Sequence, residues 1–166
     1  HGLSKLGFLI QNKINFENEF TLNERLIKKS IKHFCRPKVY PNFLNNLLKT
    51  RHNKKIRRIG CTDSSDGLFQ ALQDLAIASN CKAIIDYEKI PKDRDWPTGD
   101  KWDEYYFFGG EDYELVFSLP KKWAKNISQL DVDINEIGFF ADGEPSIEFK
   151  DNKKNTLFIK TPFKHF

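Results

Sequence analysis

One stretch constrains the chain more than any other. Ile56-Arg57-Arg58-Ile59-Gly60-Cys61 reads as a short extended segment, and Thr62-Asp63-Ser64-Ser65-Asp66-Gly67 follows it directly. Leu68, Ala71, Leu72, Leu75 and Ala76 then recur at i, i+3, i+4, i+7 and i+8, the spacing of one helix face, with Asn80 as the stop. The handover from strand to helix carries two carboxylates and several hydroxyls. Amides left unpaired at a helix start and the positive dipole end favour an anion there. Carboxylates beside a bound phosphate make sense with Mg²⁺ between them, since Mg²⁺ takes one or two carboxylates plus phosphate oxygens. A plainer reading is that Asp or Ser ahead of a helix merely caps it, which spacing alone favours.

A second pattern is Phe107-Phe108-Gly109-Gly110-Glu111-Asp112-Tyr113-Glu114-Leu115-Val116-Phe117. Two glycines allow positive φ and close approach of backbone to a ligand, and Glu111 then projects from the rim of a strand that ends by Pro120. Standing alone, the same residues would be a surface turn feeding a strand.

Elsewhere the signals alternate irregularly. Ser4 to Gln11 reads as the last turns of a helix entering from upstream. Thr21-x-x-Glu24 has the capping-box form, opening a helix with Leu26, Ile27, Ile31 and Phe34 on one side until Pro37. Asn42 to Lys49 and Lys121 to Leu130 read as further helices. Strand signals fall at Lys82 to Tyr87, Tyr113 to Ser118, Ile134 to Phe139, Ser146 to Phe149 and Thr156 to Lys160, with a hairpin tip over Asp151 to Asn155. Asp93 to Tyr106 is the least regular segment and reads as a surface loop, or alternatively a lid over the site. The expected class is α/β in the mixed sense: a mixed β-sheet layered with helices, residues 1–166 forming a single domain.

Composition excludes little. With 27 basic and 23 acidic side chains in 166 residues, the formal charge is +4. The basic excess concentrates at Arg51, Lys54, Lys55, Arg57 and Arg58, a solvated face in the ordinary case and an anion- or nucleic-acid-binding surface in the alternative. No nucleic-acid-binding signature accompanies it. No apolar run is long enough to cross a bilayer, so neither nucleic acid nor membrane is an expected partner. Cys35, Cys61 and Cys81 are odd in number and lack CxxC spacing, which points to reduced thiols in a cytoplasmic protein, packed as small core residues. Neither a Gly-x-x-x-x-Gly-Lys-Ser/Thr loop nor the protein-kinase motif set is present.

Asp63-x-Ser65-Asp66-Gly67-Leu68, followed by Gly109-Gly110-Glu111-Asp112-Tyr113-Glu114-Leu115, resembles the thiamine-monophosphate kinase family, part of the superfamily of aminoimidazole ribonucleotide synthetase. The second motif is the more specific. Ile84-Ile85-Asp86-Tyr87-Glu88-Lys89-Ile90-Pro91 and the ending Phe163-Lys164-His165-Phe166 are similar to the family as well. The resemblance implies the C-terminal domain of a two-domain, homodimeric enzyme, with the dimer built largely through the preceding domain. It implies ATP and Mg²⁺-dependent phosphoryl transfer to thiamine phosphate. Asp63 and Asp66 would be metal ligands, Ser65 a donor to an ATP phosphate, Glu111 the carboxylate contacting the thiamine moiety, and Phe163 (Phe166 less well aligned) an aromatic against the substrate rings. No residue is implied as a catalytic base. The alternatives are another ATP-dependent member of the superfamily, with a cyclising ligase-like reaction, or a non-catalytic anion-binding module acting through Arg51 to Arg58.

Overall fold

Helix Leu68–Ser79, the fourth in chain order, organises the molecule. The computed structural model describes residues 2–12, 22–38, 40–51, 59–127 and 134–151. Within them α1 is Leu3–Gln11, α2 Glu24–Cys35, α3 Phe43–Lys49, β1 Gly60–Asp63, α4 Leu68–Ser79, β2 Lys82–Ile85, α5 Asp100–Phe108, β3 Leu115–Ser118, α6 Lys121–Ala124, β4 Gly138–Ala141 and β5 Ser146–Phe149. A 3₁₀ turn, Tyr87–Lys89, follows β2. On α4 the buried residues are Leu68, Ala71, Leu72, Leu75 and Ala76, the face that the spacing specifies. Asn80 ends it with φ of 47°, the left-handed turn that Asn tolerates and that lets its amide fold back onto Ile77.

That apolar face meets two small sheets. β1 and β3 pair antiparallel with Asp63 opposite Leu115, and β2 is the centre of a three-stranded sheet, antiparallel to β4 and parallel to β5. The mixed sheet layered with helices is therefore present, divided into two pieces, and α4 touches strands of both. β2 alternates as a half-buried strand should, turning Ala83 and Ile85 inward. The core continues through Leu6, Leu26, Trp96, Trp102, Tyr106, Phe107, Val116 and Phe149. A second cluster of Phe43, Leu47 and Trp123 lies beside Phe117, fastened by Trp123 Nε1 donating to Thr50 Oγ1 at 3.0 Å.

Several sequence expectations are corrected. Asp93 to Tyr106 is an irregular loop only over residues 93–99. Its Trp96, Trp102 and Tyr106 are buried, and its second half belongs to α5, because three large aromatics gain more from the core than a polar turn context can oppose. The N-cap of α2 is Asn23, whose side chain accepts from the Arg25 amide at 2.8 Å, so Glu24 opens the helix instead of closing a capping box; Thr21 lies outside the described residues. α1 begins at Leu3, since Gly2 at φ 75° cannot continue a helix. β3 starts at Leu115 instead of Tyr113, and β4 at Gly138 instead of Ile134. Cys35 and Cys61 are exposed and Cys81 half-buried, all as free thiols, so none is a core residue. The strand expected over Thr156 to Lys160, the hairpin tip beyond Asp151 and most of the basic run lie outside the described residues. Among those described, no helix is long and apolar enough to cross a membrane.

Two helices at the edge are clamped in different ways. α1 lies on α2 closely enough that a Cβ on Gly7 would stand 2.3 Å from the Ser30 carbonyl oxygen. α2 is tied in turn to the segment before α5: Asp93 accepts from Arg25 and, at 2.6 Å, from Lys29, while Arg25 Nε reaches Asp95 at 2.6 Å. Burial opposes ionisation of Asp93, but Lys29, the Asp95 amide and Arg25 outweigh it and lower its pKa from 3.8 to about 2. A carboxylate held below its unfolded value contributes stability above that value and loses it as pH falls through the folded one. Asp93→Asn is expected to cost about 1–2 kcal/mol at neutral pH, after allowance for the partly exposed cations. In urea titrations the gap between wild type and variant should close as pH falls from about 4 towards 2.

Candidate active site

The acidic run and the glycine-acid turn meet at the open end of the β1–β3 pair. Ser64, fully buried, donates its amide to the Glu114 carbonyl at 2.9 Å and accepts the Glu114 amide on Oγ at 3.1 Å. The Glu111 amide donates to the Ser65 carbonyl at 2.7 Å. Two segments about fifty residues apart in sequence are thus knitted into one double loop over the start of α4.

No Asp or Ser of the acidic run occupies the N-cap position itself. The N-cap residue of α4 is Gly67, at φ 94°, which has no side chain to cap with. A Cβ at Gly67 would crowd the Phe107 carbonyl oxygen at 3.1 Å and adopt a backbone conformation disfavoured for L-residues, so the loop passes beneath the end of α5 only as glycine. Asp63 is exposed and turned inside its own loop, where Oδ1 accepts the Ser65 hydroxyl at 2.6 Å and the Ser65 amide at 3.0 Å. Those two bonds, the hydroxyl foremost, hold its pKa below the ordinary carboxylate value against a smaller effect of burial, so Asp63 is anionic at neutral pH. Asp66 is half-buried in the turn that follows. Ser65 stands between them, but its O–H is directed to Asp63, and donation to any other anion requires that hydroxyl to turn about one bond.

Across the gap, Glu111 and Tyr113 occupy the left-handed region with φ of 68° and 52°. The Tyr113 phenol donates to Glu111 Oε2 at 2.7 Å. Its pKa is raised, first by that bond to Glu111 and its charge, with smaller contributions from burial and from the charges of Asp63 and Asp66. The charges of Glu111, Asp63 and Asp66 thus all act on one phenol, and the two motifs share an electrostatic field as well as hydrogen bonds.

Asp112, between Glu111 and Tyr113, turns the other way and is almost completely buried. It accepts from the amides of Gly2 and, at 2.9 Å, Ser4 at the start of α1, and lies 3.4 Å from His33 Nε2 on α2. Burial would raise its pKa, yet the His33 bond, the charge of the amino terminus and the Ser4 amide together prevail and the net shift is downward. Sequence reasoning passed over Asp112, Tyr113 and Ser64. No local pattern marked them, because Glu111 and Tyr113 lie at positive φ ahead of β3 and the strand alternation that sorts facing residues does not reach them. Ser65 is bonded to Asp63 through its hydroxyl and amide and to Glu111 through its carbonyl, Asp66 is the next residue of the same loop, and Phe163 lies outside the described residues.

A hydroxyl- and carboxylate-bearing loop at a helix start, docked on a glycine-acid turn, is built here on a fold of the aminoimidazole ribonucleotide synthetase type, the class of the solved structures it superposes on. One is AaThiL complexed with AMPPCP and TMP, at TM-score 0.69 and 26% identity, covering 99% of this chain and 48% of that one. Another is thiamine monophosphate kinase from Aquifex aeolicus, at TM-score 0.65 and 25% identity over 90% of this chain and 46% of that one. The curated thiamine-monophosphate kinase of Prochlorococcus marinus is 33% identical over the whole of this chain and half of its own length. No protein-family model matches the chain. The chain belongs to the thiamine-monophosphate kinase family, and it spans about half the length of the curated relatives it matches.

Proposed function

We propose that this chain is the C-terminal domain of an ATP-dependent kinase that converts thiamine phosphate to thiamine diphosphate, acting in the cytoplasm as a homodimer. The observation that carries the reading is the joining of Asp63-x-Ser65-Asp66 to Glu111 through the hydrogen bonds among Ser64, Ser65, Glu111 and Glu114, beside a helix start whose N-cap residue is a glycine. Similarity to a structure complexed with AMPPCP, an ATP analogue, and TMP supports the same pair of substrates.

The residues present suit Mg²⁺ as a partner of the nucleotide. Among the described residues no group of three acidic, His or Cys side chains forms a closed cation site. Two carboxylates, Asp63 and Asp66, are the incomplete oxygen donor set that Mg²⁺ accepts when phosphate oxygens supply the rest. Bound there, the ion would neutralise charge on the transferring phosphoryl group. Asp63, kept anionic by Ser65, would need no proton removed before taking that role. The Ser65 hydroxyl, turned from Asp63, would donate to a nucleotide phosphate.

An acceptor phosphate monoester has its second pKa near 6 and is largely ionised at neutral pH. Its oxygen can attack without a general base, and no residue of this chain is assigned that part. The protein's task is to align two anions that repel each other and to hold the acceptor by its other end. Glu111, at the rim opposite the aspartates, suits the cationic thiazolium or the aminopyrimidine of thiamine phosphate.

Calorimetric titration of the full-length protein with thiamine phosphate, in the presence of Mg²⁺ and an unhydrolysable ATP analogue, tests the reading directly. Saturable 1:1 binding of both ligands is expected, together with thiamine diphosphate formation when ATP replaces the analogue. Absence of thiamine phosphate binding and turnover by the intact protein would sink it.

A further inference from the structure

We propose that Tyr113 is a positioning residue for substrate recognition, its phenol fixing the Glu111 carboxylate at the rim of the site. The inference rests on the kinase reading for the identity of the substrate, and on the geometry of one loop for everything else. Glu111, Asp112 and Tyr113 form a three-residue arch. Its middle residue is buried and anchored to the first turn of α1 and to His33, and its two flanking residues both sit at positive φ without being glycine. Such backbone conformations persist where the surroundings over-determine them. In this arch the buried carboxylate between them is the anchor. The result is that two side chains two residues apart, which regular extended backbone would keep side by side without forcing them into contact, are joined at 2.7 Å.

The chemistry of that pairing matters for what the site can select. A lysine or arginine beside Glu111 would neutralise it. A neutral phenol occupies one lone pair of Oε2, orients the carboxylate and leaves its full negative charge available to a ligand. Tyr113 is 43% exposed, so its ring also forms part of the surface that an incoming substrate would meet. An anionic carboxylate held by a neutral donor is the arrangement suited to a cationic or amine-bearing group, and ill suited to the nucleotide, whose phosphates belong with Asp63, Ser65 and Asp66. Tyr113 should therefore act on one substrate and leave the other alone.

The test uses the full-length kinase with Tyr113→Phe, Glu111→Gln and the double variant. Loss of one solvent-exposed hydrogen bond of ordinary net strength corresponds to about a three- to tenfold effect. Tyr113→Phe is expected to raise KM for thiamine phosphate by that factor, with KM for ATP unchanged and kcat within about twofold. In the Glu111→Gln background the same substitution should have little further effect, because the residue it acts through has gone. Two results would overturn the proposal: an undiminished Tyr113→Phe effect on top of Glu111→Gln, or equal shifts in both KM values. If wild type fails to use thiamine phosphate, the functional reading fails first, and a crystal structure of Tyr113→Phe then decides the positioning by itself. A Glu111 carboxylate that leaves its wild-type position supports it, and one that stays refutes it.

Discussion

Asp63→Asn and Asp66→Asn are each expected to reduce phosphoryl transfer by about 10²–10³, measured as kcat of the full-length protein at saturating ATP and thiamine phosphate. Each substitution is nearly isosteric, so folding should be little affected; both side chains lie at the loop surface or half-buried in the turn, away from the core. What each removes is a fixed negative charge from an oxygen donor set that has few members to spare. The Mg²⁺ concentration giving half-maximal rate should rise at least about tenfold in either variant, which separates loss of an ion from loss of an unrelated contact. Asp63→Asn carries a second consequence, because Ser65 then donates to a neutral amide oxygen and its hydroxyl is released more readily from the loop. Retention of wild-type turnover and Mg²⁺ dependence by both variants would remove the metal assignment and leave the fold intact.

Asp112→Ala should produce the largest loss of stability of any single substitution in the two motifs, about 3–5 kcal/mol in denaturant titrations. Its carboxylate is buried against the Gly2 and Ser4 amides and His33, and its removal strands all three. Asp112→Asn keeps the volume and one acceptor and should cost distinctly less. The effect is not confined to stability. With the anchor gone, only the bonds to Ser64 and Ser65 still hold the backbone around Glu111 and Tyr113, so residual folded protein should also show a raised KM for thiamine phosphate. Asp112 is held below the ordinary carboxylate range, and its contribution should therefore be present at neutral pH and disappear on strong acidification. A variant within about 1 kcal/mol of wild type would show that the α1 amides find other partners and that the anchor is dispensable.

How much of this was legible beforehand differs from element to element. The α4 face could be read residue by residue, because periodicity at 3.6 is a local property and the burial it implies needs only some apolar layer to receive it. α3, β2 and β5 were legible for similar reasons, to within two residues. The segment from Asp93 onward was not, since its acids and lysines pattern as a loop while Trp96, Trp102 and Tyr106 are spaced for no single face until α5 folds back on the core. The cysteines were misplaced because a small apolar residue is buried only when its element happens to turn it inward, and at Cys61 the alternation of β1 points it out.

The sequence by itself determined the chemistry of the site: two aspartates and intervening serines at a helix start, and a glycine-acid turn ahead of a strand, were readable because residue type and spacing suffice to state them. Tertiary structure alone decided that these segments are one site, through antiparallel pairing of β1 with β3 and the Ser64–Glu114 bonds. It alone decided which acids of the two motifs are solvent-facing and which is structural. Asp63, Asp66, Glu111 and Asp112 are alike as residue types. Their roles diverge because only Asp112 meets unpaired amides and a histidine in a space from which water is excluded, where a carboxylate is held by its partners instead of being offered to a ligand.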